Sequence, residues 1–160
     1  MNKIETDETS VTIHRIFGAS RERVWEAWTD PKQVAQWWGP DGVTNTVEKM
    51  NVRPGGIWRF IMHGPDGVDH HNKFVYDEVV ESERLVYTHP PNEANGFLGF
   101  QVTVTFNEYD NDKTNLTFRM CFESAAEREK LEAFGGTEAA NQTLSRLADH
   151  LTKGDNSGES

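Results

Sequence analysis

A chain of 160 residues fits one domain and is long enough to bury most of an apolar core. Its formal net charge of −10, with the arginines scattered, excludes the clustered basic face that nucleic acid needs and disfavours an anionic membrane surface. No apolar run approaches the roughly 20 residues of a membrane helix, and the single cysteine, Cys121, permits neither an internal disulfide nor a cysteine-based zinc site.

Residues 1–9 carry no charged-then-apolar leader pattern and read as a flexible polar lead, so a soluble, reducing, cytoplasmic setting is the expectation. One domain is expected over residues 10–153, and the Gly-, Ser- and acid-rich residues 154–160 are expected to be a disordered tail. Val11–Phe17 alternates and is β-rich, a first strand. Ser20 is a helix cap, and Val24, Ala27 and Trp28 share one helical face. Asp30-Pro31 ends that helix and starts a second, because Pro suits the first turn. Val34, Trp37 and Trp38 form its apolar side before Gly39-Pro40-Asp41-Gly42 stops it.

A run of strands follows. Val43–Val52 is the first, then Ile57–His63, in which Trp58, Phe60 and Met62 share one face. Pro65-Asp66-Gly67 has turn chemistry. Lys73–Val80 and Leu85–His89 read as a hairpin around Glu81-Ser82-Glu83-Arg84, and residues 90–96 as a polar loop. Phe100–Tyr109 and Thr114–Phe122 form another hairpin, its second arm stacking Leu116, Phe118, Met120 and Phe122 on one face. Ser124 with Glu127 matches a capping box, Leu131 and Phe134 follow, and Gly135-Gly136 interrupts. From Thr137 the stripe Ala140, Leu144, Leu147, Leu151 makes one long amphipathic helix. An α+β fold is therefore expected, an antiparallel sheet burying its apolar face on one terminal helix.

Four of the five tryptophans lie between Trp25 and Trp38, in Val24-Trp25-Glu26-Ala27-Trp28-Thr29-Asp30-Pro31 and Trp37-Trp38-Gly39-Pro40. With Arg53-Pro54-Gly55-Gly56-Ile57-Trp58-Arg59-Phe60, Gly64-Pro65-Asp66-Gly67, Glu78–Tyr87 and Thr103-Val104-Thr105-Phe106, these segments resemble, in order, the activator-of-Hsp90-ATPase-like branch of the START/Bet v-type (SRPBCC) superfamily. The resemblance spans Val11–Leu151. It implies a helix-grip fold, a curved antiparallel sheet wrapped around the C-terminal helix, with an apolar cavity between sheet, helix and the two short helices. Many members have Gly-Trp where this chain has Ala139-Ala140, which leaves the cavity's size open. The eukaryotic co-chaperones carry an additional N-terminal domain for which this chain has no room, so the family name is not read as a function.

The candidate binding residues are Trp37, Trp38, Trp58, Phe60, Met62, Phe74, Tyr76, Tyr87, Phe118, Met120, Phe122 and Leu144, an aromatic and Met-rich wall suited to an adaptable apolar site. The same residues would equally make a filled core. Trp25 and Trp28 read mainly as staples of the short helices; of Trp37 and Trp38, about 100° apart on a helix, one belongs to the core and one to a cavity mouth. His70-His71 reads as a turn or loop pair, since adjacent strand residues face opposite ways and cannot share one ion. Cys121 reads as a buried inert thiol. Arg59 and Glu78 read as cross-strand structure.

No catalytic residue, metal ligand or cofactor motif is legible: there is no Ser-His-Asp order and no phosphate-cradling glycine loop. The function expected is non-catalytic binding of a small hydrophobic or aromatic molecule, lipid-, sterol-, or polyketide/flavonoid-like. Two alternatives stand beside it. One is a polyketide cyclase/aromatase-like enzyme, with Glu78, Tyr76 or Tyr87 as its acid–base group; the other is a chaperone- or stress-related protein-interaction module presenting Trp37 and Trp38. Neither nucleic acid nor membrane insertion is expected.

Overall fold

Local chemistry sets the two short helices. The Ser20 hydroxyl accepts from the Arg23 N–H at 3.3 Å and starts α1 (Arg21–Thr29). Asp30 then serves two helices: its N–H closes α1 on the Glu26 carbonyl at 2.9 Å, and its carboxylate caps the Lys32 N–H of α2 (Pro31–Trp37) at 3.1 Å. Two helices joined by a single shared cap residue turn Val24, Trp25, Ala27 and Trp28 of the first and Val34 and Trp37 of the second into one buried face.

The computed structural model describes residues 3–91, 99–133 and 135–158, with side chains described as far as Thr152. Beside α1 and α2 it contains β1 (Lys3–Thr6), β2 (Ser10–Phe17), β3 (Thr44–Met50), β4 (Ile57–His63), β5 (Asp69–Val80), β6 (Arg84–His89), β7 (Phe100–Tyr109) and β8 (Lys113–Phe122). The terminal helices are α3 (Ala125–Ala133) and α4 (Gly136–Gly158). The strands form one antiparallel sheet in the order β1-β2-β8-β7-β6-β5-β4-β3. All its neighbours except β2 and β8 are consecutive in sequence, so hairpins build most of it. The expected polar loop at 90–96 and Phe134 fall largely outside the described residues.

Three departures from the sequence reading have physical reasons. Part of the expected lead, Lys3–Thr6, is an edge strand paired with β2; all four side chains are exposed, so no apolar alternation announces it. Residues of the expected tail continue α4 as far as Gly158, since a helix already nucleated gains a backbone hydrogen bond with each added residue. His70-His71 lies within β5: the Gly64–Val68 turn closes tightly, with Gly64 N–H on the Val68 carbonyl at 2.9 Å, and pairing begins at once with Asp69 opposite His63.

A bulge between Tyr76 and Glu78 shifts the β5–β6 register. Simple alternation would put Glu78 on the inner face with Phe74 and Tyr76. Past the bulge Val79 instead opposes buried Leu85, and Glu78 meets the Arg84 Nε at 2.9 Å on the outer face. The helix α4 lies across the inner face with Leu144, Leu147 and Leu151 buried. It is fastened by the Arg15 guanidinium, which donates to the Ser145 hydroxyl at 2.7 Å, and by Arg23, which donates to the Leu151 carbonyl at 2.9 Å. Gly136 admits the α3–α4 junction: a β-carbon there would run into the Leu131 side chain.

Candidate ligand cavity

Side-chain size along α4 divides the interior. Leu144, Leu147 and Leu151 join Trp28 and Phe106 in one buried apolar cluster that fills one half. Toward the helix start the residues facing the sheet are Gly136, Ala139, Ala140 and Thr143, too small to reach it, and a cavity of about 550 Å³ remains. Its floor is the inner sheet face: Phe60 and Met62 of β4, Phe74 of β5, Tyr87 of β6, Val102 of β7, and Phe118 and Met120 of β8. The α2–β3 loop closes one side with Trp38, Gly39 and Pro40, and Leu131 of α3 closes another. Exposed Asp69, His70 and His71 mark the mouth, with Asn72 and His89 a step inside.

Seven of the twelve sequence candidates thus meet around one space: Trp38, Phe60, Met62, Phe74, Tyr87, Phe118 and Met120. Four stand outside its wall, as packed core: Trp37, Trp58, Tyr76 and Leu144 are at most 1 % exposed. Phe122 borders a separate shallow depression with Thr88, Gln101 and Cys121. The division between the adjacent tryptophans follows from where α2 ends. Trp37 is its last residue and sends its indole N–H to the Ala27 carbonyl at 3.0 Å, edge-on to Trp28 at 4.9 Å. Trp38 is already extended and swings toward the sheet, 4.7 Å from Trp58.

Several wall residues were not picked out from the sequence, yet period two alone points to them: counting back from Phe74 gives Asn72 and His70, and on from Tyr87 gives His89. Small residues on α4 offer no positive signal, since what marks them is the side chain they lack.

The side chains of Arg146, Gln142 and Asn45 hold the loop that carries Trp38, the last by donating to the Trp38 carbonyl at 2.7 Å. Arg146 donates through Nη1 to the carbonyls of Trp38, Gly39 and Pro40 at 3.1, 3.0 and 2.9 Å, and through Nη2 to Val43 at 3.0 Å and Gln36 at 3.4 Å. Burial lowers its affinity for the proton, offset in part by Asp41. The Asp41 N–H also reaches the Gln142 side-chain oxygen at 3.0 Å.

Burial raises the Tyr76 phenol, and burial followed by the neighbouring Tyr76 raises Tyr87, both well beyond the ordinary phenol range; the Trp28 indole opposes the second shift. Both stay protonated at neutral pH. A hydrogen-bonded row of Thr46, His63 and Asp69 (2.8 and 2.7 Å) has the order of a nucleophile, a base and an orienting acid. It lies at the exposed rim of the cavity mouth, with Asp69 52 % exposed, where solvent reaches the group that would react. Among the described residues no three of His, Cys, Asp and Glu converge as metal ligands, and no helix is long and apolar enough to cross a membrane.

A curved antiparallel sheet gripping one long C-terminal helix, with an apolar hollow between them, defines a helix-grip protein of the START-like class. More narrowly, the chain belongs to the activator of Hsp90 ATPase homolog 1-like protein family, whose sequence profile matches residues 18–152. The fold is shared with a protein from Arthrobacter aurescens solved by solution NMR, at 25% identity, TM-score 0.87 and coverage of 94% of this chain and 91% of that one. A crystal structure from Mycobacterium smegmatis is also 25% identical, with TM-score 0.79 and coverage of 93% and 94%. One from Rhodobacter sphaeroides, at 19% identity and TM-score 0.82, covers 96% of this chain and 99% of its own and shows the fold alone. No curated protein matches. At the level of the family the fold supports a ligand-binding or Hsp90-associated module.

Proposed function

We propose that this protein binds a small, mostly apolar or aromatic molecule in the cavity and does not convert it. The observation that carries the reading is the pairing of an aromatic and Met-lined floor with small residues opposite, which leaves about 550 Å³ open. That volume falls within the ~300–1,000 Å³ of small-molecule sites. Burying about 300 Å² of apolar ligand surface gives roughly 7 kcal/mol before the costs of immobilisation and desolvation.

The enzyme alternative gains little support from its named groups: Glu78 is paired on the outer face, Tyr76 is packed core outside the cavity wall, and Tyr87, on the wall, has no acid–base partner among the described residues. The interaction alternative asked for an exposed apolar patch at Trp37 and Trp38, which are 0 % and 9 % exposed.

The test is a titration with a panel of flavonoid-like, sterol-like and fatty-acyl molecules, read by amide chemical shifts, on the natural chain and on Ala140→Trp. The expected result is saturable shifts at Phe74, Val102 and Met120 for at least one class, with affinity at least tenfold weaker in the variant. Shifts confined to the outer strand faces, or equal affinity of both proteins, would overturn the reading.

A further inference from the structure

Among the polar groups described on the cavity wall, which include the buried and unpartnered Tyr87 hydroxyl, His89 is the one whose ring is clamped in a single plane. His89 ends β6, and its ring lies flat against Phe100 (centroids 5.2 Å apart, planes at 14°) and edge-on to Phe74 at 5.2 Å. These contacts fix the ring's plane. Its Nδ1 lies 3.0 Å from the Pro90 carbonyl oxygen. A carbonyl can only accept, so Nδ1 carries the proton, and in the neutral ring Nε2 is left with a lone pair. Among the described residues Nε2 has no hydrogen-bond partner, and His89 is half-buried on the cavity wall.

The other polar groups around it narrow the choice of ligand. Thr143 directs its hydroxyl to the Ala139 carbonyl at 2.8 Å, and Asn72 its amide N–H to the His70 carbonyl at 3.0 Å, leaving the Asn72 side-chain oxygen as a second acceptor. Neither Arg nor Lys lines the space, and its one carboxylate, Asp69, is engaged by His63. A ligand carboxylate would lose its hydration and find no cation. A neutral donor loses nothing, because an acceptor is already placed for it.

We propose that His89 Nε2 accepts a hydrogen bond from a neutral hydroxyl carried by an aromatic ring, so that the cavity selects phenols over their ethers, parent hydrocarbons and carboxylates. This rests on the cavity being a binding site. The Phe74 and Phe100 rings flanking the imidazole offer the apolar surface on which the phenol's own ring would lie. Asn72, nearer the mouth, suits a second hydroxyl.

The experiment uses three probes of one shape: 2-naphthol, 2-methoxynaphthalene and 2-naphthoate, titrated by calorimetry at pH 7.5 into the whole chain and into His89→Phe, which keeps a flat ring but removes the acceptor. For the natural protein we expect 2-naphthol to bind about five- to tenfold more tightly than its methyl ether, as one hydrogen bond gives, and 2-naphthoate to bind weakest. His89→Phe should hold the ether as well as before and lose the preference for the naphthol. The His89 Nε2 resonance of labelled natural protein should move toward the hydrogen-bonded position with 2-naphthol only. Equal affinity for naphthol and ether in the natural protein overturns the proposal without any variant, as does tightest binding of the carboxylate. Failure of all three to bind overturns this proposal, and the wider panel of sterol-like and fatty-acyl molecules then decides the cavity reading separately.

Discussion

Replacing Arg146 by Met should loosen the wall of the cavity while leaving the sheet intact, and its size can be worked out. Two terminal nitrogens bring four N–H groups to five carbonyls, four of them within 3.1 Å and the Gln36 carbonyl at 3.4 Å. Hydrogen bonds to a charged donor contribute about 1.5–3 kcal/mol each, so four give about 6 kcal/mol at the low end if they simply added. They do not add. The loop is near enough to solvent for some carbonyls to be rehydrated once freed, and the burial that disfavours the Arg146 charge is relieved with its loss. A net loss of about 3 kcal/mol follows, half that additive figure. For a chain of this length the melting temperature should fall by roughly 6–12 °C. Arg146→Lys keeps the charge but has no planar fork to span the loop, so an intermediate loss of about 1–2 kcal/mol is expected.

Urea unfolding followed by tryptophan fluorescence gives the stability change, which should appear as a shifted midpoint at constant slope. Hydrogen exchange locates it: the amides of Asp41 and Val43, bonded to the Gln142 side chain and the Pro40 carbonyl, should lose protection far more than those of β7 and β8. A loss below about 1 kcal/mol in the Met variant, smaller than one charged hydrogen bond, would refute the reasoning. So would unchanged exchange in the loop, since the Arg146 contacts would then not be what holds Trp38, Gly39 and Pro40 against the cavity.

The adjacent tryptophans should separate by assay. Trp37→Phe, losing a buried hydrogen bond and core contacts, should cost about 2–3 kcal/mol in chemical denaturation, whereas Trp38→Phe should cost under about 1 kcal/mol and weaken ligand binding several-fold; a reversed order would contradict their placement. Tyr76→Phe removes a buried hydroxyl that lacks a hydrogen-bond partner among the described residues, so stability at pH 7 should hold or rise by up to about 1 kcal/mol. Its pH dependence has a definite sign. The folded phenol ionises above its unfolded value of about 10, so stability is whole below that pH and declines as pH rises through and beyond it, by about 1.4 kcal/mol per unit for each buried tyrosine. Unfolding measured from pH 9 to 11.5 should therefore show a shallower alkaline decline in Tyr76→Phe than in the natural chain, and parallel curves would exclude it.

Most of the scaffold was legible because its determinants are local. Ser20 and Asp30-Pro31 announce two helices, and alternation in Leu116, Phe118, Met120 and Phe122 announces a strand and names its buried face. Features that depend on pairing were not legible. The register shift after Tyr76 turns Glu78 outward, and no residue type at Asp77 signals it. The exposed strand Lys3–Thr6 exists only because the edge of β2 offers it backbone partners. The cavity is the deepest case. Trp58 and Phe60 follow the same alternation, lie on the same strand and are buried to 0 % and 1 %, yet only Phe60 lines the open space. Nothing in β4 distinguishes them; the difference lies in what stands opposite. Beneath Leu144, Leu147 and Leu151 the interior is filled, and beneath Gly136, Ala139, Ala140 and Thr143 it is open. A pocket of this kind is set by the fit between two surfaces far apart in sequence, so the place to look for it is the run of small residues on the helix rather than the tryptophans that first draw the eye.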